Sequence, residues 1–120
     1  VELEADFRAL LDRVDPEIVA VEGLFAHYKH PATAIAMAHA RGVLLLAIRQ
    51  RGLRLMELKP LEVKRSVTGH GHAKKEQMQH AVQTIFRLAE PPTPHDVADA
   101  LAIALAAGRR AASVHTLASS

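Results

Sequence analysis

Apolar residues recur at Leu3, Phe7, Leu10, Leu11 and Val14, three or four positions apart, and this spacing predicts an amphipathic helix over residues 2–14. Asp15-Pro16 ends it, because a residue before proline is pushed out of the helical region. A different pattern follows in "IVAVEGLF", residues 18–25. Ile18, Val19, Val21 and Phe25 make a short, nearly all-apolar run, as in a strand buried on both faces. Only Glu22 interrupts it. "HYKHP", residues 27–31, reads as a loop. Residues 32–50 are apolar almost all round, which predicts a helix packed on several sides. Gly42 lies inside that helix at a cost of about 1 kcal/mol against alanine, and reads as room for another helix to approach.

"LRLMELKP", residues 53–60, is a second strand candidate. Leu53, Leu55 and Glu57 fall on one face and Arg54, Met56 and Leu58 on the other. Residues 61–67 suit a short helix, and "TGHGH", residues 68–72, a glycine-spaced loop. Met78, Ala81, Val82, Ile85 and Phe86 mark another amphipathic helix. "EPPTP" breaks it, and the last helix is expected from Pro94 to about Arg109, with a frayed tail beyond Ala111. Helices alternating with strands imply a parallel pair in an α/β layered fold, and 120 residues suit a single domain. Two strands are few for a sheet, which usually has about five.

Composition narrows the class. Hydrophobic residues are 49% of the chain, too many for disorder, and aromatics are 3%, so the core is aliphatic. Absence of cysteine excludes disulfides and thiolate metal sites. The uninterrupted apolar run from Val43 to Ile48 is far too short for a bilayer, and no signal-peptide pattern opens the chain. A cytoplasmic protein without a membrane partner is expected. Net charge is only +2, but Lys59, Lys64, Arg65, Lys74 and Lys75 stand against Glu62 alone between positions 59 and 75. Such a stretch is either a phosphate-facing surface or a solvated loop.

Two places carry awkward charge. Glu22 sits in an apolar strand near its carboxyl end, where α/β sheets place functional groups. The alternative is a strand-end charge that reaches solvent. In "PHDVADALAIAL", residues 94–105, Asp96 has an ordinary explanation. With Thr93 as N-cap and Pro94 in the first turn, it completes a capping-box-like arrangement. Asp99, one turn on among Val97, Ala98, Ala100 and Leu101, has no such role. The two aspartates share a helix face and repel unless a cation or proton lies between them. Oxygen-only ligands suit Mg²⁺ or Mn²⁺.

Taken in order, "AVEGLF", "ARGVLLLAI", "VKRSVTGHGHAKKEQ" and "PPTPHDVADALAIAL" resemble the RuvC family of Holliday-junction endonucleases over nearly the whole chain. The resemblance implies a ribonuclease-H-like α/β fold with about five helices. It also implies a homodimer that nicks four-way junction DNA symmetrically with divalent metal, Mg²⁺ or Mn²⁺, two ions to a site. By position, Glu22, Asp96 and Asp99 match metal-binding carboxylates, Asp96 standing where the family uses Asp or His. Lys64 and Lys75 match lysines near the scissile phosphate. Phe25 matches an aromatic that stacks on junction bases, although a plain core role suits it too. Arg65, His70, His72 and Lys74 belong to a segment that resembles the family's DNA-contacting loop, and the two histidines read equally as exposed loop residues. His95 is expected to precede the ligand and point elsewhere. Helix 34–49 resembles the dimer-forming helix, and branch-migration proteins are implied partners.

One departure stands out. The family opens with a three-stranded meander whose first strand carries an Asp-Pro-Gly motif and a central metal ligand, and these 120 residues hold no such segment. They resemble the C-terminal two thirds of the enzyme, and this chain alone is expected to cleave little or nothing. Two-metal phosphodiester hydrolysis is the mechanism implied for the complete enzyme. A non-catalytic DNA-binding or dimerisation module on the same fold is the main rival, and a ribonuclease-H-like nuclease with another substrate a third reading.

Overall fold

The computed structural model describes residues 2–23 and 31–119. Seven elements follow in order: α1 (Glu2–Val14), β1 (Ile18–Glu22), α2 (Pro31–Gln50), β2 (Arg54–Leu58), α3 (Pro60–Thr68), α4 (Lys75–Ile85) and α5 (His95–Ser119). The chain divides into two compact units. The first holds α1, α2 and the opening residues of each strand. The second holds Ala20–Gly23, the end of β2, and α3, α4 and α5.

β1 and β2 are hydrogen-bonded neighbours in a two-stranded sheet. The Arg54 N–H donates to the Glu17 carbonyl, and the Gly23 N–H to the Leu58 carbonyl. Both bonds run forward along both strands, so the pair is parallel, and Glu22 lies beside Leu58 with its side chain on the same face. That face of β2 is the buried one, with Met56 and Leu58 inside and Glu57 exposed on the other. All five residues of β1 are half-buried. The expectation of a strand covered on both faces is therefore corrected. Apolar content alone does not report how many layers cover a strand.

In the first unit, Leu11 of α1 is buried, as are Ala47 and Ile48 near the end of α2. Arg51 pairs with Asp12 and Asp15, and Arg8 with Glu4 and Gln50. α2 is not packed on several sides among the described residues: Ile35 and Leu46 stand exposed. A Cβ at Gly42 would meet nothing within 4 Å, so no helix makes a close approach there among the described residues.

In the second unit α3, α4 and α5 pack on one another around Leu58, Val63, Val67, Ala73, Val82, Ala98, Ala102, Ala106 and Ala107. Pro60 opens α3, where its missing N–H costs nothing, and Gly69 closes it at φ 84°, donating its N–H to the Arg65 carbonyl. The Gln77 side chain accepts from the Lys74 N–H at 2.8 Å and caps the start of α4. Two expectations for α5 are corrected. It begins at His95, which leaves Pro94 as the flanking residue and moves Thr93 out of the N-cap position. It also continues to Ser119 rather than ending about Arg109 with a frayed tail. Alanines at 111, 112 and 118 favour continuation of the helix, and Gly108 does not stop it.

Candidate active site

The ends of β1, α3, α4 and α5 surround a cleft of about 200 Å³ within the second unit. Glu22 enters from the last position of β1, Lys64 from α3, and Lys75, Met78 and Gln79 from α4. His95, Ala98, Asp99 and Ala102 enter from α5. Those four fall at i, i+3, i+4 and i+7, a single stripe of a helix. Ala98 and Ala102 are the packing half of that stripe, buried against the neighbouring helices, and His95 and Asp99 are its polar half.

Glu22 feels the charges of both Asp99 and Lys64. The Glu22 carboxyl is held above its ordinary value, first by burial, then by the negative charge of Asp99, with Lys64 acting in the opposite direction. Two carboxylates close enough to resist each other's ionisation form the kind of oxygen-donor pair that a hard divalent cation relieves. The lysines suit a phosphate beside it.

Four expected site residues are thus brought together: Glu22, Lys64, Lys75 and Asp99. Asp96 is not among them. It is exposed and lies about 60° round the helix from Asp99, away from the lining stripe. No group of three or more acidic or histidine side chains suited to a metal forms among the described residues. Of the three carboxylates expected together, Glu22 and Asp99 share the cleft and Asp96 lies outside its lining. Arg65, His70, His72 and Lys74 are exposed outside the cleft lining. His70 borders instead a groove between α3 and α4 with Val67, Thr68, Gln77, His80 and Ile85. Phe25 lies outside the described residues. His95, expected to point elsewhere, lines the cleft, and its Nδ1 sits 2.8 Å from the Gln79 side-chain nitrogen. Its i+4 spacing to Asp99 is the sequence signal that identifies it.

The second unit is held by charge as well as packing. Arg110 of α5 makes a two-pronged pair with Glu62 of α3 and donates to the Glu57 carbonyl at 3.1 Å. The pair lowers the Glu62 carboxyl below its ordinary value, mainly through the hydrogen bond from Arg110. No helix among the described residues is long and apolar enough to cross a membrane.

Residues 2–107 match the family described as crossover junction endodeoxyribonuclease RuvC. Relatives of that name include one from Moorella thermoacetica, 52% identical over 84% of this chain and 60% of its own length. Another, from Carboxydothermus hydrogenoformans, is 50% identical over 81% of this chain and 61% of its own length. Among solved structures, Thermus thermophilus RuvC is similar at 39% identity and a TM-score of 0.76. The same protein in complex with a Holliday junction substrate gives 0.78, and both comparisons cover 88% of this chain and 63% of the other. The chain thus spans about three fifths of the length of these relatives.

Proposed function

The chain belongs to the RuvC family of crossover junction endodeoxyribonucleases and has its ribonuclease-H-like α/β fold, and on that premise we propose that it carries the cleft in which junction DNA is hydrolysed. The observation that carries this reading is the meeting of Glu22 and Asp99 with Lys64 and Lys75 in one cleft. The substrate is four-way junction DNA, cut during recombination and repair.

The donor set fits Mg²⁺ or Mn²⁺. It consists of carboxylate oxygens, and Mg²⁺ is commonly held by one or two carboxylates with water and substrate phosphate completing its shell. A cation bound there supplies Lewis acidity and a water of lowered pKa. Glu22 and Asp99 are the residues that would hold it. Lys64 and Lys75 bind the phosphate oxygens and offset the charge that develops on them in the transition state. Exposed Arg65, His70, His72 and Lys74 extend the contact along the backbone, and Phe25 stacks on an unpaired base. A second ion would need a further acidic ligand, and Asp96, one turn before Asp99, is the further carboxylate at this end of α5. The family's first-strand aspartate would supply another.

Two acidic residues in the cleft are few for two-ion hydrolysis, so these 120 residues are expected to bind the junction and leave it uncut. The test is junction nicking with Mg²⁺ by this chain and by one extended with the family's N-terminal strands. Strong nicking by the short chain contradicts the expectation, and no nicking by the extended one contradicts the enzymatic reading. The exposure of Ile35 and Leu46 on α2 supports a homodimer through helix 34–49. Ile35→Lys should shift sedimentation toward monomer.

The position of Asp96 outside the cleft favours a second reading, a non-catalytic junction-binding module. Asp99→Asn separates the two. An enzyme loses cation binding and keeps junction affinity, whereas a module changes in neither.

A further inference from the structure

His95 has no part in the mechanism above, yet it borders the same cleft as Glu22, Lys64, Lys75 and Asp99. It opens α5 and is tied across to α4, where Gln79 also lines the cleft. We propose that His95, presented by Gln79, is a phosphate-binding residue: the imidazole Nε2–H of His95 donates to a non-bridging oxygen of the bound DNA strand. The inference rests on the DNA-cleaving reading of this cleft and deepens it.

The hydrogen bond sets the chemistry. The Gln79 side-chain nitrogen lies 2.8 Å from the His95 Nδ1. An amide nitrogen can only donate, so Nδ1 accepts and the ring proton of the neutral imidazole resides on Nε2. With Nδ1 occupied, Nε2 is the nitrogen left for a ligand, and it is a donor. A donor suits an anion, and Lys64 and Lys75 already make this cleft attractive to a phosphate. The two lysines are flexible point charges that hold a phosphate without orienting it. A ring pinned at one nitrogen adds a directed hydrogen bond, which fixes one oxygen relative to Glu22 and Asp99. Gln79 is then a positioning residue that acts through His95. The same bond explains why a polar ring is placed on a stripe whose packing members are Ala98 and Ala102.

The test measures the affinity of the 120-residue chain for a fluorescent four-way junction at low salt without divalent cation. His95→Ala should raise Kd about ten-fold, the lower end for one hydrogen bond to a charged group. His95→Gln, whose amide nitrogen reaches the place of Nε2, should stay within about two-fold of the unmodified chain. His95→Asn, whose amide stops at the place of Nδ1, should behave as the alanine variant. Gln79→Ala should weaken binding less, and adding it to His95→Ala should cost nothing further. In the unmodified chain, ¹⁵N correlation of the imidazole should show the Nε2–H tautomer, and Gln79→Ala should relax that preference. A dominant Nδ1–H tautomer, or glutamine no better than alanine, overturns the inference. Binding weakened by Lys75→Ala and untouched by His95→Ala overturns it while the functional reading stands. No junction binding by the unmodified chain overturns both.

Discussion

α2 and α5 are both long and mostly apolar, yet they do opposite things with that character. Along α5, Ala98, Ala102 and Ala106 recur every four residues and are at most 3% exposed. Small side chains at that spacing let α3 and α4 approach closely, and the same face carries Asp99 into the cleft. Along α2 the buried residues among those described are Ala47 and Ile48, while Ile35 is 58% and Leu46 53% exposed. Apolar content therefore does not report burial. What differs is the size and spacing of the residues on one stripe. α5 turns its small residues inward and carries His95 and Asp99 to the cleft, whereas α2 leaves Ile35 and Leu46 exposed.

The strongest way to break this contrast is a charge change on each helix. In a protein carrying the family's N-terminal strands, Asp99→Asn should lower cleavage on the order of 100-fold or more, since a bound cation contributes several kcal/mol to the barrier and each tenfold is about 1.4 kcal/mol. Arg49→Gln on α2 should leave the rate unchanged. Single-turnover nicking reads both.

Core truncation gives the next effect. Leu58 is fully buried beside Glu22, and Leu58→Ala should cost about 2–5 kcal/mol in urea unfolding. Ile35→Ala, on exposed α2 surface, should cost well under 1 kcal/mol at concentrations where the chain is monomeric. Enlargement should sharpen the contrast further. Ala102→Leu overfills the interface of α5 and should cost about 1–3 kcal/mol, whereas Ala36→Leu, on an exposed position of α2, should be close to neutral.

The smallest expected effect is the tether of α5 to α3. Arg110 holds the Glu62 carboxyl below its ordinary value. A group depressed in the folded state adds stability above its unfolded pKa and loses it as pH falls through the folded one. Glu62→Gln should therefore destabilise the chain near pH 7 by less than about 1 kcal/mol, as for partly exposed ion pairs. The difference should shrink as pH falls below the ordinary carboxylate range and through the lowered folded value, where the Glu62 carboxyl takes up its proton. Thermal melts of the two chains across pH measure it.

Much of this was legible from spacing. The seven elements and the parallel pair follow from periodicity and from helices alternating with strands. Glu22 was conspicuous because a carboxylate interrupts an apolar strand, and Asp99 because no cap explains it. Three things were hidden for physical reasons. Coverage of β1 and α2 depends on which neighbours exist, and a local pattern carries no record of them. The start of α5 turns on whether proline lies inside or outside the first turn, a choice that capping preferences leave open. His95, and not Asp96, lines the cleft, because four-residue spacing rather than three sets the inward stripe of α5. On a helix both are neighbours of Asp99, and only packing of Ala98 and Ala102 decides which side of the stripe faces inward.

Broadening of amide resonances by Mn²⁺, a paramagnetic cation of oxygen ligands, tests the central claim most directly. Titrated into the 120-residue chain, Mn²⁺ should first broaden residues about the cleft: Glu22, Gly23, Lys64, Ala98 and Asp99. Asp99→Asn should abolish that pattern. Broadening centred on the exposed acids of α1, Glu2 and Asp6, or spread evenly over the surface and unchanged by Asp99→Asn, would contradict the account.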